Sequence, residues 1–255
     1  MARTCAGPIR WTPLLLGCGV GNTEGVAALA AACEALGKPL DLDRGGNIMR
    51  STPLHVAAYA GEAATVELLV ELGSDVNAVN DAGGTILHNA CNNPRTGHPT
   101  LELLLKHGAG ADINARQRPR GTWPVVTAAC RLALRMTSVK SAAVRELAFI
   151  SGATPLHRAA MAGRTDTVRW LLDNGAALSL QMRNRLGYTP YLAAHKCGPY
   201  EQVKAELAHA VAPGSPVDWE GLPMNPQSGR GSRSPTRSRW KKGSGGVVSV
   251  VAAEV

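Results

Sequence analysis

The ten residues TPLHVAAYAG at 52–61 return as TPLHRAAMAG at 154–163. The copies start 102 residues apart, three times 34. A period of that length constrains the fold more than composition does. Each unit carries the same apolar face, cannot bury it alone, and must stack on neighbours of its own kind. Weaker copies fill the interval and extend it. TILHNAC begins at Thr85, WPVVTAAC at Trp123, TPYLAAH at Thr189 and TPLLLGC at Thr12, giving steps of 40, 33, 38, 31 and 35 residues.

Within one unit the residue types predict local structure. Thr52 suits an N-cap, and Pro53 suits the first helical turn, where its missing N–H is not needed. Leu54, Ala57 and Ala58 mark one face of a short helix, and Gly61 can close it. Val66, Leu68, Leu69 and Leu72 mark a second helix, ended by Gly73, and SDVNAVNDAGG follows as a turn-rich finger. Thr154, Pro155, Leu156, His157 and Gly163 repeat the offsets of Thr52, Pro53, Leu54, His55 and Gly61. The unit from Thr12 carries Gly17, Gly19 and Gly21 in its first helix. Interior glycine costs about 1 kcal/mol against alanine, so this end is expected to be weak.

This phrase, T-P-L-H-x-A-A followed by G, V, L-L, G and D-V-N, resembles the ankyrin repeat over residues 10–210. The resemblance implies an all-α repeat solenoid of stacked helix-turn-helix units with short β-hairpin fingers. Units are expected to start near residues 12, 52, 85, 123, 154 and 189. The one at Trp123 is degenerate, because it runs into Thr154 with no D-V-N finger, as though one hairpin were deleted. Residues 211–255 are rich in Pro, Gly, Ser and Arg, too poor in apolar surface to order themselves, and are expected to be a disordered tail. Six cations and no acid between positions 230 and 242 fit a solvated tail first, then an import signal or nucleic-acid arm.

Little in the chain points to catalysis. The six cysteines form no C-x-x-C pair, no nucleotide-binding glycine loop is complete, and H-E-x-x-H is absent. His55, His88 and His157 hold equivalent positions in separate units, about one helix diameter apart, so they cannot converge on one ion. Hydrogen bonding between repeats is the expected role. No enzyme activity, cofactor or metal is expected. Asn77 and Asn114 stand where ankyrin-like fingers can be hydroxylated, but a turn asparagine explains both. No apolar run is long enough to span a bilayer, and the N-terminal segment is too interrupted by Pro13, glycines and Glu24 to read as a leader.

Charge is unevenly spread. Residues 1–115 carry 7 basic and 11 acidic side chains, and residues 116–210 carry 14 and 5. In ankyrin-like stacks the fingers and the exposed side of each first helix form a concave surface. By register, Arg118, Arg120, Arg183 and Arg185 fall on the finger side, and Arg131, Arg158 and Lys196 on first helices. Tyr59, Asn89, Asn92 and Met161 share that face, and Trp123 and Tyr188 add aromatic anchors. The expected function is a monomeric, intracellular protein-binding scaffold or adaptor, cytoplasmic or nuclear, with an acidic protein as partner. The alternative is a nuclear or nucleic-acid-associated factor using the basic half and tail.

Overall fold

The structure, a computed structural model, describes residues 11–43, 45–93, 97–108, 112–136 and 141–211. The expected tail lies, from residue 212 on, outside the described residues. Among the described residues, twelve α-helices come in consecutive pairs: α1 Pro13–Val20 and α2 Thr23–Ala35, α3 Pro53–Ala60 and α4 Ala63–Glu71, α5 Ile86–Asn92 and α6 His98–Lys106, α7 Trp123–Met136 and α8 Ala142–Ile150, α9 Pro155–Met161 and α10 Thr165–Asp173, α11 Pro190–Cys197 and α12 Glu201–Ala210. A 3-10 helix, Ala176–Leu180, follows α10.

The first helices start as their sequence dictates. Thr12, Thr52, Thr85, Thr154 and Thr189 are extended N-caps, each hydroxyl accepting the N–H three residues on. Proline follows four of the five. Gly61 closes α3 in the left-handed conformation at φ 85°, its N–H bonded to the Ala57 carbonyl. Leu54, Leu87 and Leu156 are buried beneath these helices, and Leu69, Leu104 and Leu171 beneath the second ones. Each such side chain contributes about 2 kcal/mol. In α1, Gly17 and Gly19 bring backbones close: an added Cβ would sit 3.1 Å from Val26 and 3.4 Å from Val56.

The repeats are tied to each other through the histidines. In each of His55, His88 and His157, Nδ1 accepts the backbone N–H of the N-cap threonine three residues before it. That leaves the proton on Nε2, which donates to the carbonyl just before the next N-cap: Gly84 at 3.1 Å, Ala153 at 3.2 Å and Tyr188 at 3.0 Å. Burial holds the three rings neutral, with pKa values lowered to about 4, 3 and 4.

The same bonds show that Ala153 and Thr154 open the repeat after His88. Helices α1, α3, α5, α9 and α11 pack in that order, α5 directly against α9. The pair α7–α8 therefore does not stack as the degenerate unit expected at Trp123. It is inserted in the finger between the third and fourth stacked repeats. Three fingers close with one bond, from the N–H of Asn80, Gln117 or Asn184 to the carbonyl of Gly84, Ala153 or Tyr188. Donor and acceptor are four residues apart in two fingers and thirty-six in the third. The insert misleads because its excess length is almost one repeat. Its sequence places Val126 where the histidine should be, and so lacks the group that would bind a following repeat.

Among the described residues the fingers are turns and not strands, with one isolated antiparallel bridge, Val79 to Thr85. Asn80 explains this. Its backbone N–H donates to Gly84 and its side-chain oxygen accepts the Gly84 N–H at 2.9 Å, so the tip is consumed by turn bonds.

Candidate protein-binding site

The insert lies on the finger and first-helix side of the stack. Its near end is held by Arg120 N–H to the Asp81 carbonyl at 2.8 Å, and its far end by Gly152 N–H to Gln117 and Arg185 N–H to Ser151, both at 2.8 Å. The chain's single phenylalanine, Phe149, stacks on Tyr188 with centroids 5.3 Å apart. A small apolar core joins Ala148 and Phe149 of α8 to Met161 of α9 and Ala193 of α11, with Cys130 and Leu134 of α7 packed against it. On the polar side, Glu146 of α8 accepts from Arg158 at 3.0 Å and from the Asn92 amide at 3.2 Å.

This placement sorts the residues read from sequence. Arg158 and Met161, expected on an open face, are covered by α8 and only 7% and 9% exposed. Arg158 reaches Glu146 through one nitrogen, and its Nε and other Nη are buried without a partner. Tyr188 and Asn92 are partly buried against the insert, and Asn89 is partly buried on α5. Tyr59, at the matching place in the unit of Thr52, stays 47% exposed. Trp123 and Arg131 belong to α7, within the insert, and both are partly buried. Arg118 and Arg120 are exposed where the chain leaves the third finger, and Arg183 and Arg185 are exposed in the next finger. Arg116 donates to the Arg183 carbonyl, which ties the two basic segments together. Lys196 is exposed in the last turn of α11.

The two copies of the opening phrase separate structure from surface. Of their identical residues, Thr, Pro, Leu, His and the first two alanines are buried, and the third alanine and the glycine are partly buried. They differ at Val56 against Arg158 and Tyr59 against Met161, and the latter two positions are those that hold α8. Sequence reasoning missed Glu146, Phe149 and Ala148, because nothing in their spacing says that they face another repeat.

Asn114 is engaged between repeats: its amide donates to the Gly175 carbonyl at 3.2 Å and its oxygen accepts from Ser179 at 2.7 Å. Asn77 uses its backbone N–H, bonded to the Asp75 carboxylate at 2.8 Å. Burial pushes the thiols of Cys18 and Cys91 up to about 12, which makes them inert packing groups. Among the described residues no group of three or more His, Cys, Asp or Glu could hold a metal ion, and no helix is long and apolar enough to cross a membrane.

A family profile described as ankyrin repeats in three copies matches residues 4–117 and 126–211. The chain belongs to the ankyrin-repeat family. Ankyrin repeats are generally protein–protein interaction modules. Among curated relatives, the Neurogenic locus notch homolog protein 1 of Homo sapiens is 30% identical over 198 residues, covering 74% of this chain and 8% of that protein. The B-cell lymphoma 3 protein of Homo sapiens is 28% identical over 220 residues, 72% of this chain and 47% of that one. The E3 ubiquitin-protein ligase XBAT32 of Arabidopsis thaliana is 32% identical over 160 residues, 51% of this chain and 31% of that one. The chain thus spans under half the length of each of these relatives. The profile's second match takes in most of α7 and all of α8, so this ankyrin-repeat protein carries a repeat-like helix pair that stands outside its stack.

Proposed function

We propose that this protein is a non-catalytic scaffold or adaptor, intracellular and monomeric, that binds another protein through the finger and first-helix side of its repeats. One observation carries the reading. That side already holds a helix of its own chain: α8 sits on Arg158 and Met161, while the matching Tyr59 remains exposed. A surface that orders a helix by one ion pair and an apolar contact has the chemistry of a protein-binding face. The free part runs from Tyr59 towards Asn89, and the exposed Arg118, Arg120, Arg183 and Arg185 favour an acidic partner.

The test is affinity capture by the full chain from a lysate, with and without nuclease, beside a Tyr59→Asp bait and a bait with those four arginines changed to glutamine. A protein that survives nuclease and is lost from both variant baits supports the reading. Capture that requires intact nucleic acid, or that ignores both variants, overturns it.

A further inference from the structure

Helix α7 runs for fourteen residues, against eight for α3, and it has two unlike faces. Thr127 is buried, and Cys130 and Leu134 pack towards Phe149 and Met161. On the opposite face Val125, Leu132 and Met136 are 72%, 56% and 74% exposed. They stand at i, i+7 and i+11, so they form one stripe along the helix, about 16 Å long at 1.5 Å per residue. Large apolar side chains aligned and open to water mark an interaction site, whereas scattered ones do not.

The border of this stripe is cationic. Arg131 and Arg135 lie on one flank, one turn apart. Burial holds the Arg131 guanidinium below its usual pKa, and the charges of Arg185 in the next finger and of Arg135 add to the effect. One Nη of Arg131 is buried with no hydrogen-bond partner. No ion pair of Arg131, Arg135 or Arg185 is present among the described residues. Two like charges beside a partly withdrawn guanidinium destabilise it and one another, and an anion relieves all three.

The geometry points to the exposed face of α7 as a docking surface for an acidic amphipathic helix of a partner protein, its apolar side on Val125, Leu132 and Met136 and its carboxylates on Arg131, Arg135 and Arg185. This deepens the scaffold reading and rests on it. A helix fits because the stripe is narrow and two to three turns long, the footprint of a helix laid along another. An anionic bilayer fits less well. Interfacial helices carry cations along a wide polar face, whereas here the face opposite the stripe is packed on protein through Cys130 and Leu134.

The probe is a fluorescein-labelled peptide of about fourteen residues, long enough to cover the stripe, with leucines at i, i+4, i+7 and i+11 and glutamates beside them. Matched peptides replace every glutamate by lysine, or every leucine by serine. Anisotropy titrations use the full chain and three variants whose folding is checked by circular dichroism: L132D/M136D, R131Q/R135Q/R185Q, and L178D as an apolar control, since Leu178 is 71% exposed elsewhere. The Leu/Glu peptide is expected to bind the native chain and L178D alike, and both other variants at least about tenfold more weakly. The arginine variant should also flatten the salt dependence between about 0.05 and 0.3 M. The inference is overturned if no peptide binds, if the lysine or serine peptide binds as well, if L132D/M136D binds as the native chain does, or if phosphatidylserine vesicles compete the native chain away from the peptide. Binding lost on Tyr59→Asp and untouched by L132D/M136D would sink the α7 surface while leaving the scaffold reading in place.

Discussion

His88 shows how much one residue carries here. Its ring links an N-cap in one repeat to the carbonyl before the next, across 65 residues of sequence. His88→Ala should therefore cost about 2–4 kcal/mol, from the ring's lost bonds to the Thr85 N–H and the Ala153 carbonyl and from a cavity, read as a shift of the urea midpoint. The three histidines also set a pH dependence. Their folded pKa values lie below the usual value of about 6.5, so the unfolded chain takes up protons that the folded chain does not. Stability is whole above that value and falls as pH drops towards 4, by about tenfold in the unfolding constant per pH unit for each histidine. Urea melts between pH 7 and pH 4 check the slope, and a flat profile would contradict neutral, buried rings. Arg158 makes a further residue-scale case. It is buried with one partner, so Glu146→Gln should destabilise by about 1–3 kcal/mol while Arg158→Met should be neutral or stabilising. These roles were half legible: the recurring Thr and His predict an inter-repeat bond, but no spacing pairs Arg158 with Glu146.

At the scale of elements, the third finger is where the sequence pattern and the fold part. Gly83 marks the place. It lies at φ 77°, and a Cβ there would come within 2.2 Å of the Arg118 backbone, where the insert crosses the preceding finger. Gly73, at φ 93°, faces open space. Gly73→Ala should cost about 1 kcal/mol and Gly83→Ala at least about twice that, since strain and collision add. Equal costs by thermal melting would mean the insert does not press on that finger. The helices themselves were readable from threonine caps, Pro at the first turn and the alternation of leucines. Their partners were not, because α7 and α8 have a repeat's helix-turn-helix pattern without its histidine.

For the molecule as a whole, the direct packing of α5 on α9 predicts that the stack does not need the insert. Replacing residues 118–152 by the three residues Asp81-Ala82-Gly83 of the preceding finger should leave a cooperative thermal transition and lose only the helical signal of α7 and α8. It should also uncover Met161 and Arg158 and abolish binding of the acidic helical probe. Loss of cooperative folding would show that α7–α8 is part of the stack after all.

What the sequence by itself determined is the unit: a cap, two short helices, a finger, and an obligation to stack, because the same apolar residues recur with nothing else in the chain to cover them. Only the tertiary structure decided which units are neighbours. Helical periodicity records that a face is apolar and not what covers it, so a helix pair of nearly one repeat's length reads as another storey of the stack. The bond from His88 to Ala153 joins residues on either side of that pair, and it exists only once the chain has folded past it.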